Sequence, residues 1–131
     1  MKIKEKDMPD SRKNLRYYFE IQPLHGTFFI YQMDSVTVNS AEGSMAIYDL
    51  SGGGMRFFSR LNLPVTDRVL LTFSFRALHK HFTLHGCIKR KEKQSEGYMY
   101  GAFFPDEVND QKNELVWTVH QLNLAHKERQ N

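Results

Sequence analysis

The chain is a series of short apolar and aromatic runs separated by polar or glycine-containing segments. Runs of this length, with no helical period between them, are typical of β-strands. They predict six or seven strands, six of which lie at 28–33, 44–50, 55–59, 69–75, 82–90 and 98–104. Strands at this spacing favour an antiparallel barrel or sandwich, because closing the sheet removes its exposed edges.

Alternation along two runs predicts which side of each strand faces the core. The odd positions of 69–75 are apolar, whereas positions 72 and 74 carry hydroxyls, so the odd side is expected to be buried. In 82–88 the even apolar positions are expected to point inward, and Gly86 to mark a bulge or a close approach. The next segment, 89–97, is rich in Lys, Arg and Glu and is predicted to be a solvated hairpin loop.

From position 106 onward the apolar period changes from two to about 3.6, which predicts a C-terminal helix over roughly 106–128. The expected core-facing stripe consists of Val108, Leu115, Val119 and Leu122. Trp117 and Leu124 fall nearly opposite this stripe. This second face is a candidate surface for a protein partner or a second copy; the alternative is a shorter or bent helix with Trp117 packed locally.

Length and charge limit the classes of protein. A chain of 131 residues fits one domain with a substantial core. We expect a flexible leader at 1–11 and a single domain at 12–131, with the barrel at roughly 17–105. The 18 basic and 15 acidic residues give a net charge of +3, which suits a small anionic ligand better than a nucleic acid.

Cysteine content and the absence of long apolar runs predict a cytoplasmic protein. Cys87 is the single cysteine, so an internal disulfide is excluded, as is usual in a reducing cytosol. The charged N-terminal residues do not resemble a signal peptide, and no apolar run approaches the roughly 18 residues of a membrane span.

The sequence contains no pattern typical of a metal site or of an enzyme active site. His79, His81, His85 and Cys87 all occupy odd positions and would lie on one side of a strand. Strand geometry, however, would separate His79 from Cys87 by about 27 Å, which is too far for both to bind one metal ion. There is no phosphate loop, dinucleotide fingerprint or nucleophile elbow, and no histidine is placed by sequence to activate Ser51. We therefore predict no metal, no cofactor and no enzymatic activity.

Two clusters carry the candidate binding chemistry. Arg12 and Arg16 lie four apart, and Asp49 and Ser51 precede three glycines that end at Gly54. Arginine forks suit phosphate oxygens and the acceptor edge of guanine, and a carboxylate can accept from guanine N1 and N2. A serine hydroxyl can reach a phosphate or a backbone amide, and glycine admits close approach of the backbone. The alternative is two solvated arginines and an ordinary turn between strands.

The order and spacing of the two clusters resemble the signature of PilZ domains. An Arg-x-x-x-Arg sequence precedes the first strand, and Asp-x-Ser-x-x-Gly follows some thirty residues later at the end of a strand. The resemblance covers most of the chain. It implies a six-stranded antiparallel barrel with a C-terminal helix that binds the bacterial second messenger cyclic di-GMP.

The resemblance also implies a role for each motif residue. Arg12 and Arg16 would hold phosphates and guanine edges from an N-terminal segment that folds over the ligand. The ligand would be contacted from the barrel surface by Asp49, Ser51 and Gly54. Many family members carry arginine or another long side chain where this chain has Ser11. That departure leaves open whether one messenger or a stacked pair is bound.

A non-catalytic receptor is therefore the predicted function. Ligand binding would change the protein surface and signal to a protein partner in motility or biofilm control, with the receptor a monomer or a homodimer. One alternative is a PilZ-like adaptor that no longer binds the nucleotide. Another is a small nucleic-acid-binding barrel that uses aromatic residues near the arginines, although most of these occupy alternating positions typical of a core: Tyr17, Tyr18, Phe19, Phe28, Phe29 and Tyr31.

Overall fold

The computed structural model describes residues 15–38 and 40–130, which form eight strands, one 3₁₀ turn and one α-helix. The leader predicted at 1–11, which includes Ser11, lies outside this part of the chain, and so does Arg12. The elements in chain order are β1 (Arg16–Tyr18), β2 (Leu24–Met33), β3 (Val36–Thr37), β4 (Gly43–Ser51), β5 (Gly54–Ser59), β6 (Val69–Ala77), β7 (Lys80–Lys93), β8 (Tyr98–Phe103), the 3₁₀ turn (Asp106–Val108) and α1 (Lys112–Gln130).

Six of the strands close into an antiparallel barrel in the order β4-β5-β8-β7-β6-β2, with β2 pairing back onto β4. The predicted barrel class is therefore confirmed. The two short strands are additions to it. Strand β1 pairs with residues 49–51 of β4, and β2 pairs with residues 43–47 of the same strand. Strand β3 forms a hairpin with the end of β2 through Asp34 and Ser35, whose φ angles of 50° and 68° fit a tight two-residue turn.

The alternation predicted for two strands is confirmed by burial. The odd residues of 69–75 are at most 6 % exposed, and Phe82, Leu84 and Ile88 are at most 1 % exposed. A Cβ on Gly86 would lie 2.2 Å from the carbonyl oxygen of Phe103, so the close approach expected there is also present. Aromatic contacts fill the barrel, among them the stacked pair Phe57 and Tyr100 with ring centroids 5.2 Å apart.

The charged segment 89–97 is not simply a loop, and that prediction was wrong in part. Strand β7 continues to Lys93, and the turn is confined to the last residues, where Gln94 N donates to Gly97 O at 2.8 Å. Residues 89–93 are exposed, as expected. Backbone pairing with β8 defines this stretch as a strand whatever the polarity of its side chains. The Lys91 ammonium also lies over the Tyr98 ring, with Nζ 4.8 Å from the ring centroid.

The C-terminal helix begins six residues later than predicted. Residues 106–108 form a 3₁₀ turn, and α1 starts only at Lys112. Asn109 interrupts the helical path because its side chain pairs with the backbone of His85, accepting from N at 2.7 Å and donating to O at 2.8 Å. The assignment of Val108 to the core stripe is therefore wrong, and this residue is 43 % exposed.

The rest of the helix follows its predicted faces. Leu115 and Val119 are fully buried, and Leu122 is partly buried. Trp117 and Leu124 are 53 % and 42 % exposed, so the second face is present. Among the described helices, none is long and apolar enough to cross a membrane.

The second half of α1 lies against β1. The amide of Asn123 donates to the backbone oxygen of Arg16 at 3.4 Å, and the rings of Tyr17 and His126 meet edge to face at 6.1 Å. His126 Nε2 also lies 4.0 Å from Glu20 Oε1. Strand β1 is thus fixed between β4 and the helix, and this fixes the backbone of Arg16.

Candidate functional site

Asp49 is the centre of the site. It lies near the end of β4 and is only 3 % exposed, yet its carboxylate bonds two arginines. Arg16 Nη1 donates to Oδ1 at 2.5 Å, and Arg56 Nε donates to Oδ2 at 2.8 Å. The Arg56 guanidinium also lies 5.9 Å from the Tyr48 ring centroid. A buried carboxylate is stable here because both of its oxygens are paired with charge.

Strand pairing explains why these side chains meet. Tyr18 is opposite Asp49, Asp49 is opposite Arg56, Arg56 is opposite Gly101, and Gly101 is opposite Arg90. Directly paired residues share a face of a sheet. These five residues therefore form one line across β1, β4, β5, β8 and β7 on the outer surface of the barrel, which we call the outer row.

An open cleft of about 740 Å³ lies over the outer row. This volume is within the range usual for small-molecule sites. Two acidic residues, Asp49 and Glu92, line the cleft. Its basic lining is larger and consists of Arg16, Arg56, Lys89, Arg90 and Lys91. Five basic side chains against two acidic ones make the cleft electropositive, so it favours an anionic ligand.

Ser51 closes the turn between β4 and β5. Its Oγ accepts from Gly53 N at 3.3 Å and from Gly54 N at 3.2 Å, and it can donate to Gly54 O at 3.2 Å. The hydroxyl is thus occupied by backbone, and the serine is 1 % exposed. This is the local bonding expected of an ordinary Asp-x-Ser turn.

Gly54 is required by a close approach between strands. A Cβ built on it would lie 2.1 Å from the carbonyl oxygen of Ala102. None of the described glycines has a positive φ, so conformational freedom is not the reason for glycine at this position. Neither Ser51 nor Gly54 is among the described residues that line the cleft.

Of the five residues predicted for the site, the structure brings Arg16 and Asp49 into direct contact and places Ser51 and Gly54 in the adjacent turn. The fifth, Arg12, lies outside the described residues.

Sequence reasoning missed Arg56 and the basic residues of β7. Arg56 is the single charged residue in a run with apolar neighbours, so alternation alone would have assigned it to the outer face. Its pairing with Asp49 was not readable, because a bulge between Ile47 and Asp49 shifts the register of β4 on β5.

No group of three or more His, Cys, Asp or Glu side chains in the described ranges could hold a metal ion. His79 lies in the turn between β6 and β7, with a φ of 66°, and so is not on one strand with His81, His85 and Cys87. His85 Nδ1 lies 3.1 Å from Thr72 Oγ1. Cys87 is buried, and desolvation raises the pKa of its thiol.

Comparison with known proteins agrees with the fold. The family model of the PilZ domain matches residues 10–121. Among solved structures, the chain is similar to the PilZ domain with c-di-GMP of YcgR from Escherichia coli, with a TM-score of 0.58 and 13 % sequence identity. The match covers 87 % of this chain and 92 % of that one. No curated protein sequence matches.

Proposed function

Because this chain belongs to the PilZ domain family, we propose that it binds cyclic di-GMP in the cleft over the outer row and acts as a receptor without catalytic activity. The observation that carries the proposal is the pairing of Arg16 and Arg56 through Asp49 at the wall of an electropositive cleft. That arrangement presents two guanidinium groups to one ligand in a fixed geometry.

Asp49 has two functions in this proposal. It positions both arginines, so that less side-chain freedom is lost when they bind a phosphate. Each carboxylate oxygen has two acceptor sites, so a guanine N–H can be accepted while the arginines stay bound. The guanine contact predicted for Asp49 is therefore compatible with the two ion pairs.

The other motif residues act around this centre. Arg12 and Arg16 are proposed to bind phosphates and guanine edges, as the Arg-x-x-x-Arg motif implies. Ser51 and Gly54 are proposed to support the ligand through the backbone of their turn, since the serine hydroxyl already bonds that backbone. The stoichiometry of a titration with cyclic di-GMP distinguishes one bound messenger from a stacked pair.

Signalling is proposed to pass through the surface around β1 and α1. The exposed face of α1, with Trp117 and Leu124, is the proposed contact for a protein partner in motility or biofilm control. The nucleic-acid alternative is weakened because three of the six aromatic residues named for it are buried or pack against the core, although Tyr18 is 52 % exposed and lines the cleft. Phe28 is 2 % exposed, and Tyr17 and Phe19 pack against the core.

Titration calorimetry of the full chain with cyclic di-GMP tests the proposal. The wild type should bind at micromolar concentration or tighter, and the Arg12→Ala/Arg16→Ala variant should not bind. The matched control is Arg60→Ala/Arg68→Ala, which removes two exposed arginines that lie away from the cleft. Absence of heat from the wild type at tens of micromolar would overturn the proposal, and displacement of the messenger by a single-stranded oligonucleotide would favour the nucleic-acid alternative.

A further inference from the structure

We propose that Arg90 and Lys89 of β7, outside both sequence motifs, form a second anion-binding subsite for the same messenger. This inference rests on the proposed function. The second subsite lies across Gly101 from the subsite made by Arg16 and Arg56. In this arrangement the ligand spans four strands of the barrel rather than lying beside Asp49 alone.

The backbone of the outer row provides the floor between the two subsites. Gly101 separates Arg56 from Arg90, and adjacent strands lie about 4.8 Å apart, so the two arginine backbones are about 10 Å apart. A Cβ on Gly101 would lie 3.4 Å from Arg90 Cβ. With glycine there, no side chain rises between the arginines, and a ligand can lie flat against the strand.

A bulge in β7 lies at the second subsite. In a regular strand, residues 89 and 90 would point to opposite faces. The pairing with β8 shifts register between Ile88 and Arg90, which leaves Lys89 as the extra residue. Such bulges bend the strand and redirect side chains locally, and the residues from Lys89 to Glu92 all line the cleft.

The charges of this subsite are not used by the fold. Lys91, the next residue, donates to Asn62 Oδ1 and to Leu63 O and so supports the neighbouring loop. In the described part of the chain, by contrast, no salt bridge involves Lys89 or Arg90. Neither residue is therefore paired with Glu92, the acidic residue nearest in sequence, although Glu92 also lines the cleft.

Lys89 makes one described contact of its own, with Nζ 5.6 Å from the Phe103 ring centroid. That contact places a positive charge over the cleft without neutralising it.

The composition of the ligand matches two subsites. Cyclic di-GMP consists of two GMP units, so it presents two phosphates and two guanines. Arg16, Arg56 and Asp49 together carry one net positive charge, which balances one phosphate but not both. Arg90 offers a planar fork for the second phosphate or for guanine O6 and N7, and Lys89 adds a point charge beside it.

Titration of Arg90→Gln and Lys89→Gln with cyclic di-GMP and with GMP tests the second subsite. Loss of hydrogen bonds to a charged group predicts that Arg90→Gln weakens cyclic di-GMP binding about tenfold or more. Lys89→Gln should weaken it less. Binding of GMP, which has no second half, should change less than about threefold in either variant. The matched control is Lys93→Gln, which removes a charge from the same strand outside the cleft and should bind as the wild type does.

The outcomes separate the two proposals. Wild-type affinity in Arg90→Gln, together with loss in the Arg12→Ala/Arg16→Ala variant, would overturn the second subsite and leave the proposed function standing. Equal weakening for cyclic di-GMP and GMP would also overturn it, because Arg90 would then act on one nucleotide unit only. A wild type that binds neither ligand would overturn both proposals. Arg90 is exposed and unpaired among the described residues, so melting curves of the variant should match the wild type and exclude misfolding as the cause.

Discussion

Replacing Asp49 with asparagine is expected to destabilise the fold as well as the site. Asparagine keeps the size of the side chain and one acceptor oxygen, but it removes the charge that pairs with Arg16 and Arg56. Both ion pairs are then lost at a residue that is 3 % exposed. The substitution leaves two guanidinium groups next to each other without a counter-charge.

The magnitude follows from the exposure of the arginines. Hydrogen bonds to charged groups contribute about 1.5–3 kcal/mol each, and breaking a fully buried ion pair costs about 3–5 kcal/mol. Here the arginine side chains are 36 % and 48 % exposed, so each can regain water when the carboxylate is removed. We therefore expect the free energy of unfolding to fall by about 2 kcal/mol. For a domain of this size that corresponds to a melting temperature lower by about 6–10 °C.

Urea denaturation followed by circular dichroism measures this loss, and Asp67→Asn is the control because Asp67 is exposed and lies away from the cleft. A double-mutant cycle with Arg56→Gln should give a coupling free energy of about 1 kcal/mol, since the two residues are in direct contact. A melting temperature of Asp49→Asn within about 1 °C of the wild type would refute the reasoning. So would full additivity in the cycle.

Three further outcomes are expected. Gly54→Ala should lower the free energy of unfolding by about 2 kcal/mol or more, because the added Cβ would lie 2.1 Å from a backbone oxygen. Gly53→Ala is the control and should melt close to the wild type, because its Cβ would have nothing within 4 Å. Equal losses of stability in the two variants would contradict this. The Cys87 thiol, whose pKa is raised by burial, should react with a disulfide reagent at neutral pH only after unfolding, and fast reaction of the native protein would argue against its burial. A hydrogen bond from Lys80 lowers the pKa of Glu114 below its ordinary 4.5. The difference in melting temperature between the wild type and Glu114→Gln should therefore have its full size above pH 4.5 and decrease as the pH falls through the lowered pKa. A difference that does not change with pH would count against the pair.

The barrel was predictable because strands with one buried face keep a strict period of two. The apolar odd positions of 69–75 were enough to assign the core side of β6. The same rule failed at 89–93, where the exposed residues of β7 are held by pairing with β8, and pairing leaves no trace in side-chain polarity. The start of α1 was misplaced because the side chain of Asn109 binds the backbone of His85, a contact 24 residues away in sequence.

The residue types of the candidate site could be selected from the sequence, but the contacts between them could not. Arg16 and Asp49 could be selected because arginine and carboxylate suit a guanine nucleotide. Their direct ion pair depends on β1 pairing with β4, and the partnership with Arg56 depends on a bulge. Register of this kind depends on the pairing of the whole sheet, so it cannot be read from the local pattern around each residue.

The two halves of β7 have different neighbours, and this bears on how the protein resists aggregation. Pairing with β6 ends at Gly86, and from Cys87 onward the described structure pairs β7 with β8 only. One edge of the final residues is therefore open to strand addition by another chain. Lysine and arginine on such an edge oppose that addition by charge repulsion, so the basic residues at 89–93 are expected to reduce self-association. Neutralising Lys89, Arg90 and Lys93 together should promote self-association before it affects folding.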